Sequence, residues 1–189
     1  MRIILASNSP RRKELLSQAG VLFEIIPSEF EEQVIELPPE KLVEYFAYMK
    51  AKDIAGAVQG EALVIGSDTI VYLDGIMGKP RDKEDAFNML KNLSGKQHLV
   101  FSGLSIINTA SGESQTEYES TKVKMKELSD AEITAYINTG EPMDKAGAYA
   151  IQGMGSLFIE GIEGDYFNVV GLPLFRLGKM LNCFGIRLI

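Results

Sequence analysis

Apolar residues along this chain fall into two rhythms, short unbroken runs and helical stripes, and the two alternate through its first half. Ile3-Ile4-Leu5-Ala6 is an apolar run of strand length, and residues 2 to 6 read as a buried strand. Ser9 then reads as a helix N-cap and Pro10 as the first helical residue, with Gly20 closing the helix in the position that favours glycine. "VLFEIIPS" predicts a second strand, and "SEFEEQVIEL" an acidic connection. From Pro39, "PEKLVEYFAYMKAKDIAGAV" places Leu42, Phe46 and Met49 on one face of a helix. "ALVIGSDTIVYLDG" predicts a long strand ending in the tight turn Asp74-Gly75, and "RDKEDAFNMLKNLSG" a helix with both ends marked. The segment 98–128 reads as two strands around the turn "ASGE". Ser129 and Glu132 form a capping box for the helix "DAEITAYINTG". The Gly-punctuated stretch "GAYAIQGMGSLFIEGIEGDYFNVVGLP" reads as strand-like, and Pro173 opens a last helix to about Leu181. Alternating strands and helices followed by a late hairpin indicate an α/β fold with a mixed sheet. With no internal repeat or linker, residues 1–189 are expected to form a single domain.

Composition narrows the function classes. Hydrophobic content of 46% with 24% charged residues is that of an ordinary soluble globular protein. A net charge of −7 argues against a nucleic-acid polymer as partner, since such binders carry a basic surplus. Cys183 is the only cysteine, so no intramolecular disulfide forms. The opening apolar run is too short for a secretory signal, and no apolar run approaches the roughly 20 residues that span a bilayer. The expected location is the cytoplasm, with no membrane partner.

The first helix raises a problem of charge. Arg11, Arg12 and Lys13 crowd its first turn, the positive end of the helix dipole, where each exposed cation is unfavourable by roughly 0.3–1 kcal/mol. A strand–loop–helix junction offers free backbone N–H groups to an anion. A phosphate bound there would be gripped by the forked guanidinium groups of Arg11 and Arg12, with the Ser7 and Ser9 hydroxyls as further donors. The plainer reading is three solvated cations and a capping serine. The Walker phosphate loop is absent.

Asp68 lies inside "VIGSDTIVY", and an acid in an apolar strand is costly unless paired, hydrogen-bonded or metal-bound. It is either satisfied by a neighbouring cation or poised as a general base or metal ligand, a role that burial, by raising a carboxyl pKa, can serve. Glu31 and Glu32 read as solvated surface, or as a carboxylate that would share Mg²⁺ with a bound phosphate. Lys79 in "GKP" suits a phosphate contact or an exposed loop equally. Lys50 and Lys52 read most simply as side chains snorkelling past apolar neighbours. The lone His98 makes a zinc site or a Ser-His-Asp triad improbable and reads as structural. "EPMDKAGAYAIQG" sets Asp144, Lys145 and Gln152 among glycines; it is a ligand-approach loop whose Gln152 amide reads a base edge, or a turn into a kinked strand.

Taken together, "ASNSPRRKELL", "GSDTIV", "GKPRDKEDAFNMLKNLSGKQHLVFSG", "GEPMDKAGAYAIQG" and "GDYFNVVGLP" give a chain that resembles, over nearly its whole length, the Maf family of nucleoside triphosphate pyrophosphatases. The resemblance implies an inosine-triphosphatase-like α/β fold, a mixed twisted sheet flanked by helices with a central cleft. It implies hydrolysis of a nucleoside triphosphate between the α- and β-phosphates, with Mg²⁺ or Mn²⁺, releasing a monophosphate and pyrophosphate, and a homodimer. By motif, Asp68 corresponds to the proton acceptor that activates water, and Arg12 to the arginine at the substrate. Lys50 and Lys79 correspond to phosphate-holding lysines, Glu32 to an acidic residue near the metal, and Thr69 and Gln152 to positions linked to base preference. Threonine and glutamine there match the branch acting on dTTP and UTP, whose role extends to clearing modified pyrimidine nucleotides. Ser67 departs from the family's usual alanine.

Two rival readings accompany this one. The first is a non-catalytic nucleotide-sensing regulator of septum formation or cell division. The second is a phosphatase or sugar-nucleotide enzyme built on the same loop.

Overall fold

The start and stop signals of the sequence set most of the element boundaries. β1 (Arg2–Leu5) is followed by α1 (Pro10–Gln18), which Pro10 opens and which gives way to Gly20 at φ +73°. A short β2 (Glu24–Ile25) precedes α2 (Pro39–Ala57), and β3 (Ala62–Tyr72) turns through Asp74-Gly75 into β4 (Ile76–Met77). α3 (Lys83–Leu93) starts where the Asp82 side chain accepts the Asp85 N–H, and β5 (Gln97–Asn108) and β6 (Ser114–Met125) form the late hairpin. α4 (Asp130–Asn138) carries the complete Ser129–Glu132 capping box. β7 (Ile159–Glu163), α5 (Tyr166–Val170) and α6 (Leu174–Cys183) complete the order. This computed structural model describes residues 1–188. Among them, seven strands form one mixed sheet in the order β2-β1-β3-β5-β6-β7, with β4 on β3. β1 runs parallel to β2 and β3, whereas β3–β4 and β6–β7 are antiparallel. The expected α/β class with a mixed sheet is what the chain adopts.

Two expectations are corrected. Residues 21–28 pair over only two positions, Glu24 and Ile25; the rest of that segment is loop, from the buried Val21 and the exposed Leu22 to beyond Pro27. The stretch 147–173 is not strand-like throughout. It holds tight 3₁₀ turns at Ala146–Ala148 and Gly153–Phe158, the short β7, and the helix α5. Glycines at positive φ, Gly147, Gly153 and Gly164, break any longer strand, since such φ values lie outside the β region.

The chain divides into two compact units. Met1–Asp68, Ser102–Glu119 and the chain from Gly171 onward form the first. Its core includes Ile4, Ala6, Ala51, Ile54, Val64 and Ile107. Helix α2 lies directly on the strands there: a Cβ on Gly66 would meet the Ala47 carbonyl oxygen at 2.1 Å, and one on Gly103 the Val43 carbonyl oxygen at 2.0 Å. Thr69–Phe101 and Ser120–Val170 form the second unit, whose core gathers Leu90, Leu93, Val100, Val123, Met125, Ile133 and Tyr136. Side chains of this size stabilise by roughly 1.5–3 kcal/mol each when fully buried.

Candidate active site

In the first unit, the loop between β1 and α1 is organised by Ser7. Its buried Oγ accepts the Ser9 N–H at 3.2 Å and an Arg12 Nη1–H at 3.2 Å. Ser9 has the extended backbone of an N-cap, but its side chain makes no cap hydrogen bond. The expected serine cap is therefore corrected: the residue holds the position, and Ser7 supplies the turn. Arg12 does not point away from the protein as a solvated cation would. Its Nε donates to the Gly171 carbonyl at 2.9 Å, and Ser67 Oγ donates to the same carbonyl at 3.3 Å. Ser67, the departure from the usual alanine, thus has a partner. Burial lowers the Arg12 pKa and neighbouring Arg11 lowers it further, while Asp68 and Glu32 oppose both.

Lys50 is the hub of the remaining charges. It projects from α2, and its Nζ donates to Asp68 Oδ1 at 2.7 Å and to Glu32 Oε1 at 2.6 Å. The Lys50 and Asp68 side chains are 15% and 9% exposed and that of Glu32 is 50%, so Glu32 forms the open rim. Of the neighbouring pair Lys50 and Lys52 on this helix, only Lys50 turns inward; Lys52 is exposed, 5.7 Å over the Tyr48 ring. The snorkelling reading of Lys50 is corrected accordingly. Glu32 is delivered by a knot that sequence inspection missed. Asp53 Oδ2 accepts from Ser28 Oγ at 2.7 Å and from the Glu29 N–H at 3.0 Å, and the Phe30 and Phe46 rings pack 6.3 Å apart. Asp53 is three residues from Lys50, on the same helix face, and that spacing is the one signal that marks it.

The structure thus brings Ser7, Ser9, Arg12, Glu32, Lys50 and Asp68 together in one unit, with Arg11 beside Arg12. Thr69, Lys79 and Gln152 belong to the second unit. Thr69 follows Asp68 on β3 and is half-buried, whereas Lys79 is exposed. The loop of Lys79 is tied to the 146–155 segment by the Gly147 N–H, which donates to the Gly78 carbonyl at 3.0 Å. Gln152 sits in that segment between Ala150 and Gly153. His98 is buried, shares a 2.6 Å hydrogen bond between Nε2 and the Tyr149 hydroxyl, and is pushed down to about pKa 4 by burial. It packs as a structural residue.

Glu32 and Asp68 converge on a single ammonium, so the three groups carry a net negative charge before any phosphate arrives. Such a donor set suits a hard divalent cation shared between one or two carboxylates and phosphate oxygens. Among the described residues, no three His, Cys, Asp or Glu side chains converge into a metal cage of their own.

Comparison with known proteins shows which family the chain resembles over its length. A dTTP/UTP pyrophosphatase of Alkaliphilus metalliredigens is 51% identical over 96% of this chain and 95% of its own length. One of Acetivibrio thermocellus is 52% identical over 100% and 98%. A crystal structure of a nucleoside-triphosphatase / dITP/XTP pyrophosphatase from Mycobacterium abscessus aligns with 97% of this chain and 98% of its own, at 15% identity and a TM-score of 0.48. Residues 2–184 match the family described as Maf-like protein, and with that span and those identities the chain belongs to the Maf-like family.

Proposed function

We propose that this protein hydrolyses dTTP and UTP to the monophosphate and pyrophosphate. The observation that carries the reading is the Lys50 hub, with Asp68 and Glu32 on one ammonium and Arg12 in the same electrostatic cluster. A half-buried charge cluster is a poor device for stability, because desolvation offsets most of the attraction. It is a good device for holding cationic and anionic groups ready for a polyphosphate. The names of the relatives support the pyrimidine substrates, and nothing in them supports a regulator without catalysis.

Arg12, anchored on Gly171 and Ser7, brings its positive charge to the phosphates, with Ser9 and Arg11 beside it. Lys50 orients Asp68. The Asp68 carboxylate takes a proton from a water molecule, the water oxygen bonds to phosphorus at the α–β link, and the bridging P–O bond breaks to release pyrophosphate. Glu32 and Asp68 would hold Mg²⁺ or Mn²⁺ together with substrate phosphates, and the metal would supply charge neutralisation at the phosphate oxygens. Lys79 holds phosphate, and Thr69 and Gln152 discriminate the base. The same reading makes the enzyme a cytoplasmic homodimer with no nucleic-acid or membrane partner. No described helix is long and apolar enough to cross a membrane.

The test is an assay of the purified protein against a panel of nucleoside triphosphates with Mg²⁺ or Mn²⁺, detecting pyrophosphate and inorganic phosphate separately. Pyrophosphate is expected from dTTP and UTP, with Asp68→Asn lowering turnover about 10²–10⁴-fold, the usual contribution of a general base. Inorganic phosphate as the product would replace this reading with a phosphatase. Nucleotide binding without turnover would replace it with a sensor.

A further inference from the structure

Gln152 lies on a turn that one carboxylate gathers together. Glu141 Oε2 accepts the Met154 N–H at 3.0 Å, and Oε1 accepts the Gly155 N–H at 3.0 Å. The Tyr136 hydroxyl donates to the same Oε1 at 2.9 Å and accepts the Ala150 N–H at 3.3 Å. The backbone is thus held at 150 on one side of Gln152 and at 154 and 155 on the other, by two side chains that are themselves joined. The turn has no slack. A Cβ on Gly153 would sit 2.7 Å from Glu141 Oε2, and one on Gly155 would sit 2.4 Å from the Ala150 carbonyl oxygen and 2.6 Å from the Tyr136 hydroxyl. Tyr136 is itself fixed, buried with its ring edge-on to Phe158 at 5.0 Å. Burial pushes the Glu141 carboxyl up, but the Gly155 and Met154 N–H groups and the Tyr136 hydroxyl outweigh it and hold the pKa below the usual range. Glu141 therefore accepts through both oxygens at neutral pH.

A glutamine amide discriminates a base edge only if its position is fixed, because donor and acceptor are distinguished by direction. We infer that Glu141, acting with Tyr136, is the positioning residue for base discrimination: it fixes the 150–155 turn, and with it the Gln152 amide, without touching the nucleotide. This inference rests on the reading that Gln152 contacts the base.

The experiment measures kcat and KM for UTP and GTP in the wild type, Gln152→Ala, Glu141→Gln, Tyr136→Phe and the double variant Glu141→Gln/Gln152→Ala, with thermal melts for each. Glutamine at 141 keeps the shape but replaces one accepting oxygen with an NH₂ group that cannot accept. Glu141→Gln is expected to lower the UTP-to-GTP ratio of kcat/KM about five- to tenfold, mainly through KM for UTP. In the Gln152→Ala background it should cause no further loss, since residues acting as one unit are non-additive. Tyr136→Phe should act in the same direction, and it carries the test should Glu141→Gln fail to fold. Equal losses for UTP and GTP, or additive losses in the double variant, would overturn the inference by reducing Glu141 to a structural residue. An unchanged ratio in Gln152→Ala would remove both the Gln152 reading and this one, while the pyrophosphate assay with Asp68→Asn would still stand on its own.

Discussion

Arg12 shows why a guanidinium is needed at the start of α1. Nε reaches the Gly171 carbonyl and Nη1 the Ser7 hydroxyl, two acceptors in different directions that one planar fork meets at once. A lysine would keep the charge and lose the fork. Arg12→Lys is expected to destabilise the protein by about 1.5–3 kcal/mol, the range for hydrogen bonds to a charged group. It should also raise KM for UTP more than it lowers kcat. Urea unfolding and steady-state kinetics check the two halves, and a lysine variant equal to wild type in both would mean that charge alone suffices. The sequence marked this residue by its misplaced charge at a helix N-terminus. It could not mark the partner, because Gly171 lies 159 residues away and offers only a backbone carbonyl.

At the scale of elements, the position of α2 decides the site, since this helix carries both Lys50 and Asp53. It can lie on β3 and β5 only because Gly66 and Gly103 leave room for the Ala47 and Val43 carbonyls. Gly66→Ala or Gly103→Ala forces the helix outward, and overpacking of this kind typically costs about 1–3 kcal/mol and sometimes more. A loss of about 3 kcal/mol corresponds to roughly 6–12 °C in Tm for a chain of this size. Because one outward shift of α2 relieves both clashes, the double variant should lose less than the sum of the singles. Both should also lose activity, since Lys50 moves with the helix. Calorimetry on the three variants checks this, and strict additivity would show that the helix does not move as a body. Elements with local signals were legible in the sequence: α3 and α4 begin at side-chain caps within three residues of their first turn. The stretch 147–173 was not, because its shape depends on Glu141 and Tyr136 reaching across to it. Lys50 and Lys52 look alike in sequence, yet positions two apart on a helix point about 200° apart. Only the burial of Ala47, Ala51 and Ile54 shows which lysine turns inward.

For the molecule as a whole, acid should expose how its buried base is held. His98 is 2% exposed and its pKa is pushed down to about 4 by burial, from an ordinary value of 6.5. Above pH 6.5 the histidine is neutral in both the folded and the unfolded chain and contributes no pH dependence. As pH falls below 6.5 the unfolded chain takes up the proton and the folded chain does not, so stability declines until the folded form also protonates near pH 4. The slope approaches about 1.4 kcal/mol per pH unit, and the whole loss is roughly 3 kcal/mol. Glu132 acts in a lower window. The Lys126 ammonium, then the Ser129 N–H and hydroxyl, hold it down to about 2, so its contribution is present above pH 4.5 and is lost as pH falls through 2. Unfolding free energies measured in urea from pH 7.5 to 4 should therefore decline in the wild type before the carboxylates begin to titrate. His98→Gln keeps a polar group near Tyr149 but removes the titration, so its curve should be flat between pH 6.5 and 5, whatever constant offset the substitution introduces. Parallel slopes in the two proteins would place the acid sensitivity elsewhere and show that the buried histidine is protonated without loss of the fold.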